Sequence, residues 1–319
     1  MSGNDLIDIQ DLCVHFPVGH AGETVKAVDG VRFGVRAGET FGVIGESGSG
    51  KSTLGRALVL LQKPTGGRML LDGMDPYSLS PRELRVRRRD FQVVFQDPNA
   101  SLDPRMSIGA SIREPMDILG DLPRARRDER VLQVLDRVGL RAEFAERYPH
   151  ELSGGQKQRV NIARVLTLRP KMIVCDEVVA ALDVSIQADI LNLFADLQRE
   201  FGLTYVFITH DLGVVSHISD RIAVMYLGRF VELGEAQELS DNPKHPYTRA
   251  LMSAEPTPLP KAMRTRERVV LTGEIPSPVS PPSGCRFRTR CPIAQADCAQ
   301  KVPEWREVRD GHWVACHHV

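Results

Sequence analysis

Residues 39–53, ETFGVIGESGSGKST, decide the fold. The apolar run Phe41–Ile44 leads without a spacer into a glycine-rich turn, and TLGRALVLLQ continues beyond it with helical spacing. That order is strand, phosphate loop, helix. Gly45 to Ser52 fits the pattern G-x-x-x-x-G-K-[ST]. Gly45, Gly48 and Gly50, interleaved with the small Ser47 and Ser49, let backbone N–H groups turn toward phosphate oxygens that larger side chains would obstruct. Lys51 is placed to bridge the terminal phosphates of ATP and Ser52 to hold Mg²⁺. Thr53 follows in a helix whose positive end faces the anion.

Working outward, FQVVFQ (91–96) reads as a strand followed by the irregular DPNASLDPR, and MIVCD (172–176) as a buried strand. Asp176 at that strand's end suits a second Mg²⁺ ligand, and Glu177 beside it can orient a water in line with the γ-phosphate. Gln96 can reach the metal and the attacking water, or be a surface amide. His210 in FITHD sits where ligands collect in open α/β sheets and is a candidate γ-phosphate contact. SIQADILNLFADLQRE reads as a helix with Ser185 as its N-cap, and TYVFITHD and RIAVMYLG as further strands. The alternation predicts an α/β fold, a largely parallel sheet covered by helices. The apolar spacing from Ser107 to Arg169 is helical throughout and predicts an all-helical insert.

A second phosphate-reading element lies within that insert. LSGGQ (152–156) opens a helix, and Ser153, Gly154, Gly155 and Gln156 offer a small donor array at its N-terminus. It is a helix cap or a phosphate reader. As a reader it is too far in sequence from the first loop to share its nucleotide, so the simplest arrangement is two such chains head to tail, each closing over the other's ATP.

GESGSGKST, VFQDP, LSGGQKQRV, IVCDE, ALD and FITHD, in this order, resemble the ATP-binding subunit of an ABC transporter. ASLDPR, RYPHELSGGQ, ALDVSIQADILNL, NPKHPYTRAL and PPSGCRFRTRCP resemble its dipeptide/oligopeptide importer branch, a likeness that covers nearly the whole chain. The resemblance implies a P-loop ATPase that powers peptide import, with a related importer of nickel or another solute as the alternative. It implies Lys51, Ser52 and Asp176 on phosphate and Mg²⁺, Gln96 in a loop sensing the permease, and Glu177 as catalytic base. His210 would be the switch histidine, Ser153 and Gly155 the signature facing the partner's nucleotide, and Asp183 part of the loop between facing sites. Phe16 resembles the aromatic that stacks on adenine, or is a core residue ending its strand. Implied partners are a second, different ATPase chain, two transmembrane permeases and, indirectly, an extracytoplasmic substrate-binding protein, with the chain at the cytoplasmic face of the membrane. Val178 and Ala180 depart from the branch's usual proline and serine.

The expected organisation is an ATP-binding domain over 1–242, with a helical subdomain at about 97–169, and a C-terminal region over 243–319. That region, with the proline-rich EPTPLPK and GEIPSPVSPPSGC, is expected to be an appendage rather than an extension of the sheet. It concentrates Cys285, Cys291, Cys298 and Cys316 in the spacing C-x5-C-x6-C-x17-C, while Cys13 and Cys175 sit in strands. Spacing alone supports four soft ligands for zinc, copper(I) or an iron–sulfur cluster, with His312, His317 and His318 as possible substitutes. The resemblance implies a [4Fe-4S] cluster on the four cysteines, with Zn²⁺ as the alternative. A segment poor in contiguous apolar residues would gain order from such a metal.

Composition narrows the rest. Among 319 residues, 41 Lys+Arg balance 41 Asp+Glu, so no net field steers the chain to nucleic acid. The basic runs RVRRRD and RARRDER read as solvated helix faces. No run approaches a membrane span, and an acidic, polar N-terminus points to the cytoplasm. A soluble ABC-type ATPase acting on ribosomes or DNA is the rival; such relatives often carry two cassettes in one chain or a coiled-coil insertion, which this sequence lacks. A metal-responsive regulatory role for the C-terminal region is a third reading.

Overall fold

The computed structural model of the chain describes residues 5–19, 23–120, 122–180, 182–254 and 271–319. The EPTPLPK segment and Ala181 of the ALD motif lie outside these residues.

Strands β1 (Asp5–Val18) and β2 (Glu23–Arg36) pair antiparallel along their lengths. Chain then crosses to β3 (Thr40–Ile44), the phosphate loop and helix α1 (Lys51–Leu58). It returns as β4 (Gly66–Leu71), which adds to the free side of β1 to give a three-stranded sheet in the order β2-β1-β4. Alternate residues Ile7, Ile9, Val31, Phe33 and Val35 are buried and share a core with Leu54 and Leu58 of α1. The expected helix through Gln62 stops short, because Leu60 takes left-handed backbone (φ 64°).

After α2 (Pro81–Arg87), the main sheet gathers β5 (Phe91–Val94) at its edge. Three helices follow: α3 (Ile108–Leu119), α4 (Arg124–Arg137) and α5 (Gly154–Leu166). They form the expected helical insert, packed around Ile112, Met116, Val134, Leu135 and Val160. The Ser107 hydroxyl caps α3 by accepting the Ala110 N–H at 3.3 Å, and Gly120 in left-handed backbone ends it.

The chain re-enters the sheet at β6 (Met172–Asp176), covers it with α6 (Val184–Phe201), and continues through β7 (Thr204–Thr209), α7 (Leu212–Ile218) and β8 (Arg221–Tyr226). Strands β5, β6, β7, β3 and β8 are mutually parallel. Every residue of β3, β6 and β7 is buried, as strands covered on both faces require. Helix α6 begins at Val184 with Asp183 in the N-cap position, two residues before the expected Ser185.

From β8 onward the sheet turns antiparallel with β9 (Arg229–Glu235), followed by α8 (Ala236–Asp241), α9 (Pro246–Ala254) and the short α10 (Asp297–Gln300). Strands β10 (Arg306–Arg309) and β11 (His312–Val314) form a hairpin that docks on β9, completing an eight-stranded sheet in the order β10-β11-β9-β8-β3-β7-β6-β5. This corrects the expectation that the C-terminal region leaves the sheet unextended. The overlooked signal was Asp310–Gly311 between alternating residues, a hairpin turn dipeptide.

Candidate functional site

The phosphate loop is a turn that its neighbours leave no room to vary. Gly50 has φ 109°, and a Cβ there would lie 1.9 Å from the Ala27 carbonyl oxygen. Ser49 is tied by its carbonyl to the Gly228 N–H at 2.8 Å, so the β8–β9 turn holds the loop from the side. Lys51 is 5% exposed, and its Nζ donates to the carbonyls of Gly45 (2.7 Å) and Glu46 (3.0 Å) and to Ser49 Oγ (3.5 Å). Burial lowers its pKa, while the charges of Glu177, Asp176 and Glu46 resist that shift.

At the end of β6 the first turn of α1 meets the acidic pair. Ser52 Oγ donates to Asp176 Oδ1 at 3.0 Å. Burial raises the Asp176 carboxyl pKa; the Ser52 hydrogen bond opposes this, and the neighbouring Glu177 charge adds to it. Glu177 takes left-handed backbone (φ 52°), with its N–H donating to Ile208 O at 2.8 Å. A non-glycine residue there is strained, which is a feature of functional turns. His210 Nδ1 lies 3.2 Å from Glu177 Oε1, and the histidine is exposed. Lys51, Ser52, Asp176, Glu177 and His210 thus converge where β3, β6 and β7 end. A hydroxyl and a desolvated carboxylate crowded by a second carboxylate form the hard, oxygen-only donor set that fits Mg²⁺.

Among the described residues, Gln96, Phe16 and the signature residues make no hydrogen bond to that cluster. Gln96 is exposed, two residues beyond the end of β5. Phe16, half-buried in β1, packs against the core shared by the antiparallel sheet and α1. Ser153 caps α5: its Oγ accepts the Gln156 N–H at 3.4 Å, and Gln156 Oε1 accepts the Ser153 N–H at 3.0 Å, a reciprocal capping box. Ser153 and Gly154 are exposed. A Cβ on Gly155 would lie 2.7 Å from Ile186 Cγ2, so that glycine allows α5 to approach α6. Helix α5 packs on α3, α4, α6 and β5, whereas α1 packs on β2, β5, β6 and β7. The signature and the phosphate loop therefore belong to different helices that share only β5 among these packing partners. Val178, next to Glu177 in sequence, is buried, and Ala180 is exposed.

The C-terminal segment departs most from expectation. Between Cys285 and Cys291, Arg286 donates to Asp29 Oδ2 and to the Leu227 carbonyl. Phe287 is 1% exposed against Tyr226, Tyr247 and His245, and Arg290 reaches Glu46 of the phosphate loop. An aromatic plug flanked by two ion pairs supplies the order that a metal was expected to supply. No three of Cys285, Cys291, Cys298 and Cys316 bring their sulfurs within 4.8 Å of one another. The candidate metal groups among the described residues are instead Asp297, Cys298 and His318, and Cys13, His15 and Asp29. Burial pushes the Cys285 thiol up to about 11 and raises those of Cys291 and Cys316, and in each case other cysteines of the four add to the shift. The candidate metal groups give the expected [4Fe-4S] cluster no support, which corrects that expectation, and the four cysteines form no close ligand group for a single zinc ion. Glu46, Tyr247, Arg286 and Arg290 were missed as site neighbours, since no local pattern links residues so far apart in sequence.

The sequence matches the family described as "ABC transporter" over residues 28–180 and "Oligopeptide/dipeptide transporter, C-terminal region" over residues 231–298. It is 51% identical to the oligopeptide transport ATP-binding protein AppF of Bacillus subtilis, covering 98% of this chain and 97% of that protein. A putative peptide import ATP-binding protein of Brucella ovis is 52% identical, covering 99% of this chain and 98% of that one. The ATP-binding cassette MJ0796, solved as a dimer in a post-hydrolysis state bound to ADP and Pi, aligns with TM-score 0.65 and 32% identity. That alignment covers 72% of this chain and 98% of the cassette.

Proposed function

The chain belongs to the ATP-binding subunits of ABC transporters, in the oligopeptide/dipeptide branch, and on that premise we infer that it hydrolyses ATP to power peptide import. The observation that carries the chemistry is the 3.0 Å Ser52–Asp176 contact, which brings the phosphate loop and the acidic pair to one point.

Lys51 binds the terminal phosphates, supported by the loop N–H groups of Gly45 to Thr53, and Phe16 is assigned to the adenine. Ser52, Asp176 and Gln96 would hold Mg²⁺, whose charge offsets that on the phosphate oxygens. Glu177 accepts a hydrogen bond from the attacking water and orients it, and His210, 3.2 Å away, steadies Glu177 and contacts the γ-phosphate. No helix among the described residues is long and apolar enough to cross a membrane, so in this reading the permeases are separate chains.

We assign the signature Ser153–Gln156, whose Ser153 and Gly154 are exposed, to the nucleotide of a second ATPase chain, and this chain's own phosphate loop to that chain's signature. The exposure of Val184, 81%, beside Asp183 supports an apolar contact across that boundary. The partner is proposed to be a different chain, giving a heterodimer. A groove of about 440 Å³ between β5 and the helical insert, with exposed Leu61, Phe95 and Ile118 and the basic Arg85, Arg88 and Arg89, is assigned to the two permeases. The chain then works at the cytoplasmic face of the membrane, downstream of an extracytoplasmic binding protein. The domain division is proposed as 1–242 for ATP binding and 243–319 for the C-terminal region, which shares the sheet.

Copurification from native membranes tests the assignment. Permeases and ATP-dependent peptide uptake in reconstituted vesicles are expected; nucleic acid or ribosomes in place of permeases would favour the soluble-ATPase alternative.

A further inference from the structure

We propose that Arg290 is a positioning residue for the phosphate loop, acting through Glu46, so that the C-terminal segment of the same chain completes the nucleotide site. The proposal rests on the ATPase reading above and deepens it.

Glu46, the second residue of the loop, is held at three points. Arg290 Nη1 and Nη2 donate to its Oε2 and Oε1 at 2.6 and 2.9 Å. Its backbone N–H donates to the Tyr247 hydroxyl at 2.9 Å, and its carbonyl accepts from Lys51 Nζ at 3.0 Å. Two of these anchors, Arg290 and Tyr247, come from the C-terminal region, and the Ser49 N–H also donates to the Glu46 carbonyl at 3.2 Å. A forked guanidinium on a carboxylate fixes orientation as well as distance.

Arg290 is itself braced. Its side chain is 6% exposed, and its guanidinium stands 5.9 Å over the Tyr226 ring. Four residues earlier, Arg286 is fixed to Asp29 and Leu227, with Phe287 seated between Tyr226 and Tyr247. The hydrogen bonds it donates to Glu46 raise the Arg290 pKa, so the cation persists at any physiological pH.

The pairing matters to ATP because of Lys51. The Glu46 charge already acts on that lysine, whose Nζ touches the Glu46 carbonyl. With the guanidinium removed, a partly buried carboxylate loses its counter-ion and competes with phosphate oxygens for Lys51. Arg290 thus keeps Glu46 turned away from the lysine that must receive the nucleotide. The Glu46–Arg290 pair spans 244 residues, so no local sequence rule would mark it.

The test measures ATP binding and hydrolysis by the full chain in its transporter, for wild type, Lys51→Ala, Arg290→Gln, Arg290→Lys, Glu46→Gln and the double variant Glu46→Gln/Arg290→Gln, with melting temperatures alongside. Arg290→Gln is expected to raise KM for ATP roughly ten-fold with kcat little changed, as a loss of uniform binding does. Arg290→Lys should fall between it and wild type. The decisive result is suppression: adding Glu46→Gln to Arg290→Gln should bring KM back toward wild type, because the competing charge is gone. A structural role alone predicts a lower melting temperature with unchanged KM, or a double variant no better than Arg290→Gln; either overturns the proposal. Should Arg290→Gln fail to fold, Arg290→Lys with and without Glu46→Gln reads the same suppression. A wild type without ATPase activity, or one unaffected by Lys51→Ala, would instead overturn the ATPase reading.

Discussion

The Ser52 hydroxyl donates to Asp176 at 3.0 Å, joining the first turn of α1 to the end of β6 across 124 residues. Parallel strands make this meeting possible, because β3 and β6 lie on either side of β7 and release their next residues at the same edge. Burial has already raised the Asp176 pKa, so the carboxylate gains from any cation brought to that edge. In the proposed reading that cation is the Mg²⁺ of bound nucleotide, held by Ser52 and Asp176.

Ser153 separates capping from catalysis. Ser153→Ala removes the hydroxyl that accepts the Gln156 N–H and should cost about 1 kcal/mol of stability, read by chemical denaturation. In the assembled transporter the same variant should lower ATP turnover at least about ten-fold, while ATP affinity of the isolated chain stays unchanged. Loss of affinity in the isolated chain would place the signature on its own nucleotide.

His245 gives the fold an acid-side weakness. It is buried, its Nδ1 accepts the Tyr247 N–H at 3.1 Å, and burial depresses its pKa from 6.5 to about 4, against the opposing charge of Glu232. The unfolded chain therefore binds the proton first as pH falls. Stability is full above about pH 6.5 and declines by about 3 kcal/mol as pH drops to about 4. His245→Asn should flatten that part of the stability–pH curve; an unchanged slope would show that other groups govern it.

Phe287 is the plug on which the C-terminal segment seats. Phe287→Ala should cost about 3–5 kcal/mol and expose residues near Cys285 to proteolysis before the rest of the chain unfolds. If proteolysis stays as slow as in wild type, the ion pairs of Arg286 and Arg290 hold the segment without the ring.

Sequence marked this site unevenly, for physical reasons. The loop from Gly45 to Ser52 was legible because backbone crowding, as at Gly50 against Ala27, permits few residue types. The strand before Asp176 was legible because burial on both faces leaves an unbroken apolar run. Strand β4 was not, since GGRMLL begins with two glycines and pairs with β1, more than fifty residues earlier. The four clustered cysteines drew attention to metal, whereas the residues that organise their segment are Arg286, Phe287 and Arg290. Their partners Asp29, Tyr226 and Glu46 lie far away in sequence, and long-range ion pairs leave no periodic trace.

The most direct measurement compares ATP hydrolysis by Glu177→Gln and wild type in the assembled transporter, with ATP binding followed in the same samples. The amide keeps the side chain's shape and its place beside His210 but cannot take the water's proton. Hydrolysis should fall by roughly 100-fold, about 3 kcal/mol in barrier, with ATP still bound. Hydrolysis at the wild-type rate would contradict the placement of catalysis at the end of β6.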